Sequence, residues 1–384
     1  MELYRPNRSA TRMAESPTPP NAASWGASME NNDGLEVLLF ETSPYGNVDA
    51  IVQHDGRSIC FYLNGRAFAS DQPTRWTSSE PSFTTKACWV RNLQLGPYVI
   101  NEADLQSGRP AMLPRTHMKS PAPGRLPSPE NLQIVWFEEG NGAALIETAT
   151  ESRPADRPIT LAVIPPWSGI DGFHGYAAES AAESPLCSPM PDHPRLQHRI
   201  DRAAEFWSMF SRPPDPFVEL RAELLTAYEQ HFFRDPSGTK IEPNYFTIAG
   251  SHFPPRGLVH YATSTRHLLA TVAMSMCPQP MIELSETDPR QFRRIELAIE
   301  LDGPATPAEI ENAKNNLARL AAYPWQRFRW YGAGHTCQFA GVFSETQTAV
   351  LIPDAQRNPT NALLLPNFRD DPIRLLWLVP HSPV

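Results

Sequence analysis

The sequence predicts an α+β protein, a mixed α/β chain of two domains, each a mixed or antiparallel sheet packed with a few helices. Three observations carry this. Runs of β-branched and aromatic residues alternate at period two in both halves of the chain. Apolar residues recur at spacings of three and four in three segments after residue 195. A proline-rich stretch, Ser184 to Pro194, separates the two halves.

Residues 1–33 are rich in Ser, Pro, Asn and Ala, cannot bury enough apolar surface to offset ordering entropy, and read as a disordered tail. The first domain is expected over 34–183. Its strands read as Leu35–Phe40, Val48–His54, Ser58–Leu63, Lys86–Leu93, Leu132–Phe137, Ala143–Ile146 and Ile159–Ile164. Asp55-Gly56 and Gly140-Asn141-Gly142 lie between β-rich runs and are hairpin signals. Pro110, Pro114, Pro121, Pro123, Pro127 and Pro129 mark 107–130 as a loop.

After the 184–194 linker, Leu196, Ile200, Ala203, Trp207 and Phe210 form one face of a linking helix over 195–216. Phe217, Leu220, Leu224 and Tyr228 form the stripe of the next helix. The second domain, 217–384, continues with strands at Leu258–Ala262, His267–Met276, Arg294–Leu301, Ala349–Ile352 and Ile373–Val379. Thr306-Pro307-Ala308-Glu309 is a capping box with proline at the first helical position, and Tyr323-Pro324 is expected to end that helix.

Composition narrows the function. The chain has 384 residues and a formal net charge of −9, which opposes the basic face that nucleic-acid binding needs and disfavours anionic membrane surfaces. Its 41 prolines are about twice the usual share of roughly 5%, which predicts many rigid loops. Five widely spaced cysteines without a CxxC fit reduced thiols in the cytoplasm. The N-terminus lacks the apolar core of a signal peptide, and no apolar run approaches the ~20 residues that span a bilayer.

No nucleophile elbow, zinc-protease helix motif or phosphate-binding glycine loop is present, so no catalytic residue and no cofactor is assigned. Cys187 with His193, and His335 with Cys337, are two isolated pairs where zinc wants about four ligands, so no metal is assigned. Glu138 and Glu139 sit before a Gly-Asn-Gly turn and read as solvated turn charges, poorly placed to share a proton. Three segments are candidate binding surfaces. Trp89, Arg91 and Asn92 on one strand, with Trp136, have the composition of an interface hot spot and equally that of a tryptophan under an arginine stem. In the loop from Trp167 to Tyr176, glycines bracket Phe173 and His174, which suits ligand approach or a tight turn. The stretch Tyr323 to Tyr331 holds five aromatics, including Trp325 and Trp330, and some are expected at the surface.

The C-terminal region resembles the Suppressor of fused domain family. The residues that carry this are the strand Arg294-Ile295-Glu296-Leu297-Ala298-Ile299, the helix end Asn316-Leu317-Ala318-Arg319-Leu320-Ala321, Gly334-His335, the strand Ala349 to Asp354 and the closing strand Ile373 to Pro380. The first region is similar to the additional N-terminal domain of some bacterial members, through Trp89 to Asn92, Val135 to Gly140, Ile164 to Trp167 and Gly172 to Tyr176. The resemblance implies a non-enzymatic protein-binding module. Animal members hold a transcription-factor peptide between two lobes, and bacterial members have been suggested as toxin-neutralising immunity proteins. It carries no binding residue over to this chain, and the ending His381-Ser382-Pro383-Val384 departs from the acidic continuation of many relatives. An acidic chain suits a basic protein or peptide partner, a toxin or regulator. The alternative is an enzyme using His174 with Glu138 or Glu139, which requires one pocket joining them.

Overall fold

A computed structural model describes residues 34–66, 85–96, 100–148, 158–169, 173–192, 194–232, 243–247, 257–263, 266–343 and 347–381. The expected tail 1–33 lies outside the described residues. The fold is α+β, with helices and several mixed or antiparallel sheets.

The first sheet has four antiparallel strands in sequence order: β1 (Glu36–Thr42), β2 (Val48–His54), β3 (Ser58–Gly65) and β4 (Lys86–Asn92). A short helix α1 (Glu102–Gln106) follows, capped by the Asn101 side chain accepting from the Asp104 N–H. The second sheet has order β5-β6-β7-β8-β9, with β5 (Leu132–Trp136), β6 (Ala143–Glu147), β7 (Ile159–Ile164), β8 (Tyr176–Ala177) and β9 (Ser188–Pro189). Strand β9 lies in the proline-rich 184–194 segment, where Ser188 and Pro189 pair with β8 and Leu186 and Cys187 are buried.

Period-two alternation explains how this second sheet serves two cores. Leu132, Ile134, Trp136, Leu145 and Leu161 share a core with the first sheet. Val135, Phe137, Ala144, Ile146 and Val163 pack against helix α2 (Pro194–Met209), through Leu196, Ile200 and Ala203. The expected helical face is present, except that Phe206 rather than Trp207 is its deeply buried aromatic. Helix α3 (Pro216–Phe232) buries Leu220, Leu224 and Tyr228 of the expected stripe and leaves Phe217 half-buried.

The third sheet has eight strands: β10 (Asn244–Thr247), β11 (Gly257–Ala262), β12 (Arg266–Val272), β13 (Arg294–Asp302), β14 (Thr336–Gln338), β15 (Thr348–Pro353), β16 (Asn367–Phe368) and β17 (Asp371–Pro380). Its order is β10-β11-β12-β13-β17-β15-β14, with β16 pairing β17 and only β13 and β17 parallel. Two short helices, α4 (Ile282–Ser285) and α6 (Asp354–Arg357), lie before β13 and after β15. Between β13 and β14 runs the long helix α5 (Pro307–Arg327), which buries Ala313, Leu317, Leu320 and Trp325 on the sheet.

Three boundaries differ from expectation by three residues or more. The linking helix expected over 195–216 ends at Met209, and Pro216 begins α3. Strand β12 stops at Val272, because the buried Glu296 carboxylate accepts from the Ser275 N–H (3.0 Å) and hydroxyl (2.6 Å) and turns the chain into a 3₁₀ segment. Helix α5 runs through Pro324 to Arg327, because burial of Trp325 outweighs the one lost N–H. Residues Glu36–Val384 form one compact unit by contact. Tyr45 packs in the core of the third sheet, stacked at 6.1 Å on Trp325, whose carbonyl accepts from Asn47 Nδ2 at 2.5 Å. Among the described residues, no helix is long and apolar enough to cross a membrane.

Candidate functional site

The site grows from the turn that ends β5. Phe137-Glu138-Glu139-Gly140-Asn141-Gly142 reverses the chain into β6, closed by hydrogen bonds from Gly140 N to Phe137 O and Phe137 N to Gly142 O, both 3.0 Å. Gly140 has φ +77°, and a Cβ there would lie 2.1 Å from the Tyr45 ring, so both its conformation and its space demand glycine. The Tyr45 hydroxyl donates to the Glu138 carbonyl at 2.5 Å. This anchoring aims two carboxylates inward.

Glu138 and Glu139 are 7% and 3% exposed, which corrects the reading of solvated turn charges. They meet a group of arginines from distant segments. Glu138 accepts from Arg294 Nη2 at 2.8 Å and lies 3.4 Å from Arg202 Nε and 3.6 Å from Arg369 Nε. Glu139 accepts from Arg199 Nη2 at 3.1 Å. Asp371, at the start of β17, lies 3.2 Å from Arg294, 3.4 Å from Arg290, 3.6 Å from Arg202 and 3.7 Å from Arg293. Glu283 of α4 bridges Arg199 (2.6 Å) and Arg293 (3.0 Å). Unpaired, each buried charge would cost several kcal/mol, so the ions hold one another in place. Burial works to lower the Arg199 pKa, but Glu139 and Glu283 outweigh it and hold it above its ordinary value.

Above these charges lies a cleft of about 200 Å³, lined by Phe137, Glu138, Glu139, His198, Arg199, Arg202, Ala203, Arg290, Arg293 and Asp371. Helix α2 supplies Arg199 and Arg202 one turn apart. The segment before β13 supplies Arg290 and Arg293, and Arg294 opens β13 itself. The β16–β17 hairpin supplies Arg369 and Asp371 through a two-residue loop in which Arg369 and Asp370 both have positive φ, 51° and 66°. Non-glycine residues adopt that conformation at a cost of order 1–3 kcal/mol and concentrate where a site requires it.

Of the residues singled out from sequence, Glu138 lines the cleft, and Trp167 stacks under the Arg199 guanidinium at 4.6 Å. Trp136 lies just behind the turn. Its indole donates to Glu41 at 2.7 Å, and its carbonyl accepts from Trp207 at 2.8 Å. Trp325 supports the turn from below through Tyr45. The rest lie apart. Trp89 is fully buried and donates to Asn92 Oδ1 at 2.8 Å, while Asn92 brackets Leu113 through its backbone N–H and carbonyl. That corrects the hot-spot reading: both side chains are spent inside the first core. Arg91 pairs with Glu179 at 2.6 Å. His174 Nε2 lies 3.3 Å from Glu102 and does not line the cleft, and Tyr176 packs on Phe173 at 4.9 Å. Trp330 is half-buried against His335 at 4.6 Å. None of the five aromatics between Tyr323 and Tyr331 is exposed, because Trp325 and Tyr331 are buried and the other three half-buried.

The arginines are what sequence reasoning missed. One signal was present: Arg195, His198, Arg199 and Arg202 recur at three and four on α2, a basic face beside its apolar stripe. Compared with family models, curated proteins and solved structures, the chain has no match.

Proposed function

We propose that the chain is a non-enzymatic protein-binding module of the Suppressor of fused type, acting as an immunity protein that neutralises a toxin. The supporting observation is the arginine-lined cleft, which is open to solvent and assembled from four segments far apart in sequence. The pair weighed for the alternative enzyme does not converge: His174 is engaged with Glu102 and lies outside the cleft that Glu138 and Glu139 line. The five cysteines are free and buried, as suits a protein of a reducing cytoplasm. The chain's overall negative charge favours a basic partner at long range.

The test is co-expression of the chain with the product of each neighbouring gene, followed by gel filtration. A stoichiometric complex that relieves toxicity of the partner is the expected result. Elution of the chain alone beside every such product, with toxicity unrelieved, would overturn the reading.

A further inference from the structure

The carboxylates of the cleft are sunk and its two outermost cations are not. The side chains of Glu139, Asp371 and Glu138 are 3%, 2% and 9% exposed, whereas that of Arg290 is 60% exposed and His198 stands exposed on α2. The ion network of the cleft and the layer beneath it pairs six arginines with five carboxylates, Glu283 and Glu205 included, a surplus of one positive charge before His198 is considered. Hydrogen-bond capacity is unbalanced in the same direction. A guanidinium carries five N–H donors, and a carboxylate offers about four acceptor sites.

Two arginines have donors to spare. Arg290 uses Nε toward Asp371 and Nη2 toward the Asp370 carbonyl (3.0 Å), which leaves Nη1 uncommitted. Arg293 Nε is buried without an acceptor. A cleft of about 200 Å³ admits one small group, below the roughly 300 Å³ at which drug-sized pockets begin. The surrounding arginines already bind carboxylates, and one monoanion would cancel the surplus charge.

We infer that the cleft receives a single carboxylate, presented by the protein partner as an acidic side chain or as its C-terminus. This rests on the protein-binding reading and deepens it: a partner that is basic overall is anchored by one acidic group. Arg290 is the residue that reaches the incoming group, and His198 flanks it.

The experiment is calorimetric titration of the full chain at fixed ionic strength. The probes are glutarate, the peptide acetyl-Gly-Glu-Gly-amide, the peptide acetyl-Gly-Gly with a free C-terminus, and inorganic phosphate. Saturable binding of glutarate and at least one peptide is expected, weakened at least about tenfold in Arg290→Gln, since a bond to a charged group is removed. Whichever peptide binds better names the source of the carboxylate. Arg290 is exposed, so the variant is expected to fold, and unchanged circular dichroism checks it. His198→Ala serves as a second variant, with a smaller loss. Equal affinity in wild type and Arg290→Gln, saturation by phosphate alone, or no saturable probe would each overturn the inference. A protein partner that binds Arg290→Gln as tightly as wild type would overturn it and leave the protein-binding reading standing. Carboxylate binding in a chain that forms no protein complex would do the reverse.

Discussion

Arg294 is the most deeply buried charge of the ion network beneath the cleft, with a fully buried side chain. Its guanidinium donates to Glu138, Asp371 and the carbonyls of Ser275 and Met276, and Phe368 lies 5.0 Å over it. Removing one member of such a pair strands the other, at about 3–5 kcal/mol. Glu138→Ala is therefore expected to lower stability by about that much, read as a fall in the urea midpoint. Glu138→Gln, which keeps an acceptor, loses less. A second residue gives a pH signature. Lys86 is buried with its ammonium on the carbonyls of Asn141 (2.8 Å) and Pro166 (3.4 Å), and burial lowers its pKa to about 7. Between about pH 7 and the ordinary lysine value near 10.4 the unfolded chain binds a proton that the folded chain does not. Stability therefore rises with pH across that window, by up to about 1.4 kcal/mol per unit, and the penalty is fully present below pH 7. Urea midpoints at pH 7 and pH 9 check this. The wild type gains stability between them, and Lys86→Met loses that gain.

At the scale of elements, helix α5 and the β16–β17 hairpin give two predictions of opposite sign. Thr306 accepts from the Glu309 N–H (3.2 Å) while Glu309 accepts from the Thr306 N–H (2.8 Å), so Thr306→Ala is expected to cost about 1 kcal/mol. Asp370 sits at φ 66° with an exposed side chain, and only its carbonyl serves the cleft, through Arg290. Asp370→Gly relieves the backbone and is expected to gain about 1 kcal/mol, a rise in midpoint. These elements also show what was legible in the sequence. The capping box, the strands Val48–His54 and Ile159–Ile164 and the apolar face of α2 follow from local spacing, because neighbours along the chain are neighbours in the element. Helix α5 running past Pro324 was not legible, because it depends on where Trp325 finds its core. The cleft was not legible either. Glu138 and Arg294 are 156 residues apart, and nothing local to a Gly-Asn-Gly turn says that its glutamates will meet guanidiniums rather than water.

At the scale of the molecule, the second sheet is the pivot. One face shares a core with the first sheet, the other packs on α2, and its β5–β6 turn delivers Glu138 and Glu139 to arginines of α2 and of the third sheet. The cleft therefore reports on how these parts of the chain meet, and a partner seated there would touch the β5–β6 turn, α2 and the start of β17 at once. The most direct measurement is amide hydrogen exchange on the chain alone and in complex with the co-purified partner. Exchange is expected to slow on binding over residues 137–142, 198–203 and 290–294, with the outer strands β10 and β14 unchanged. Protection confined to regions outside the cleft, or none at all, would contradict this.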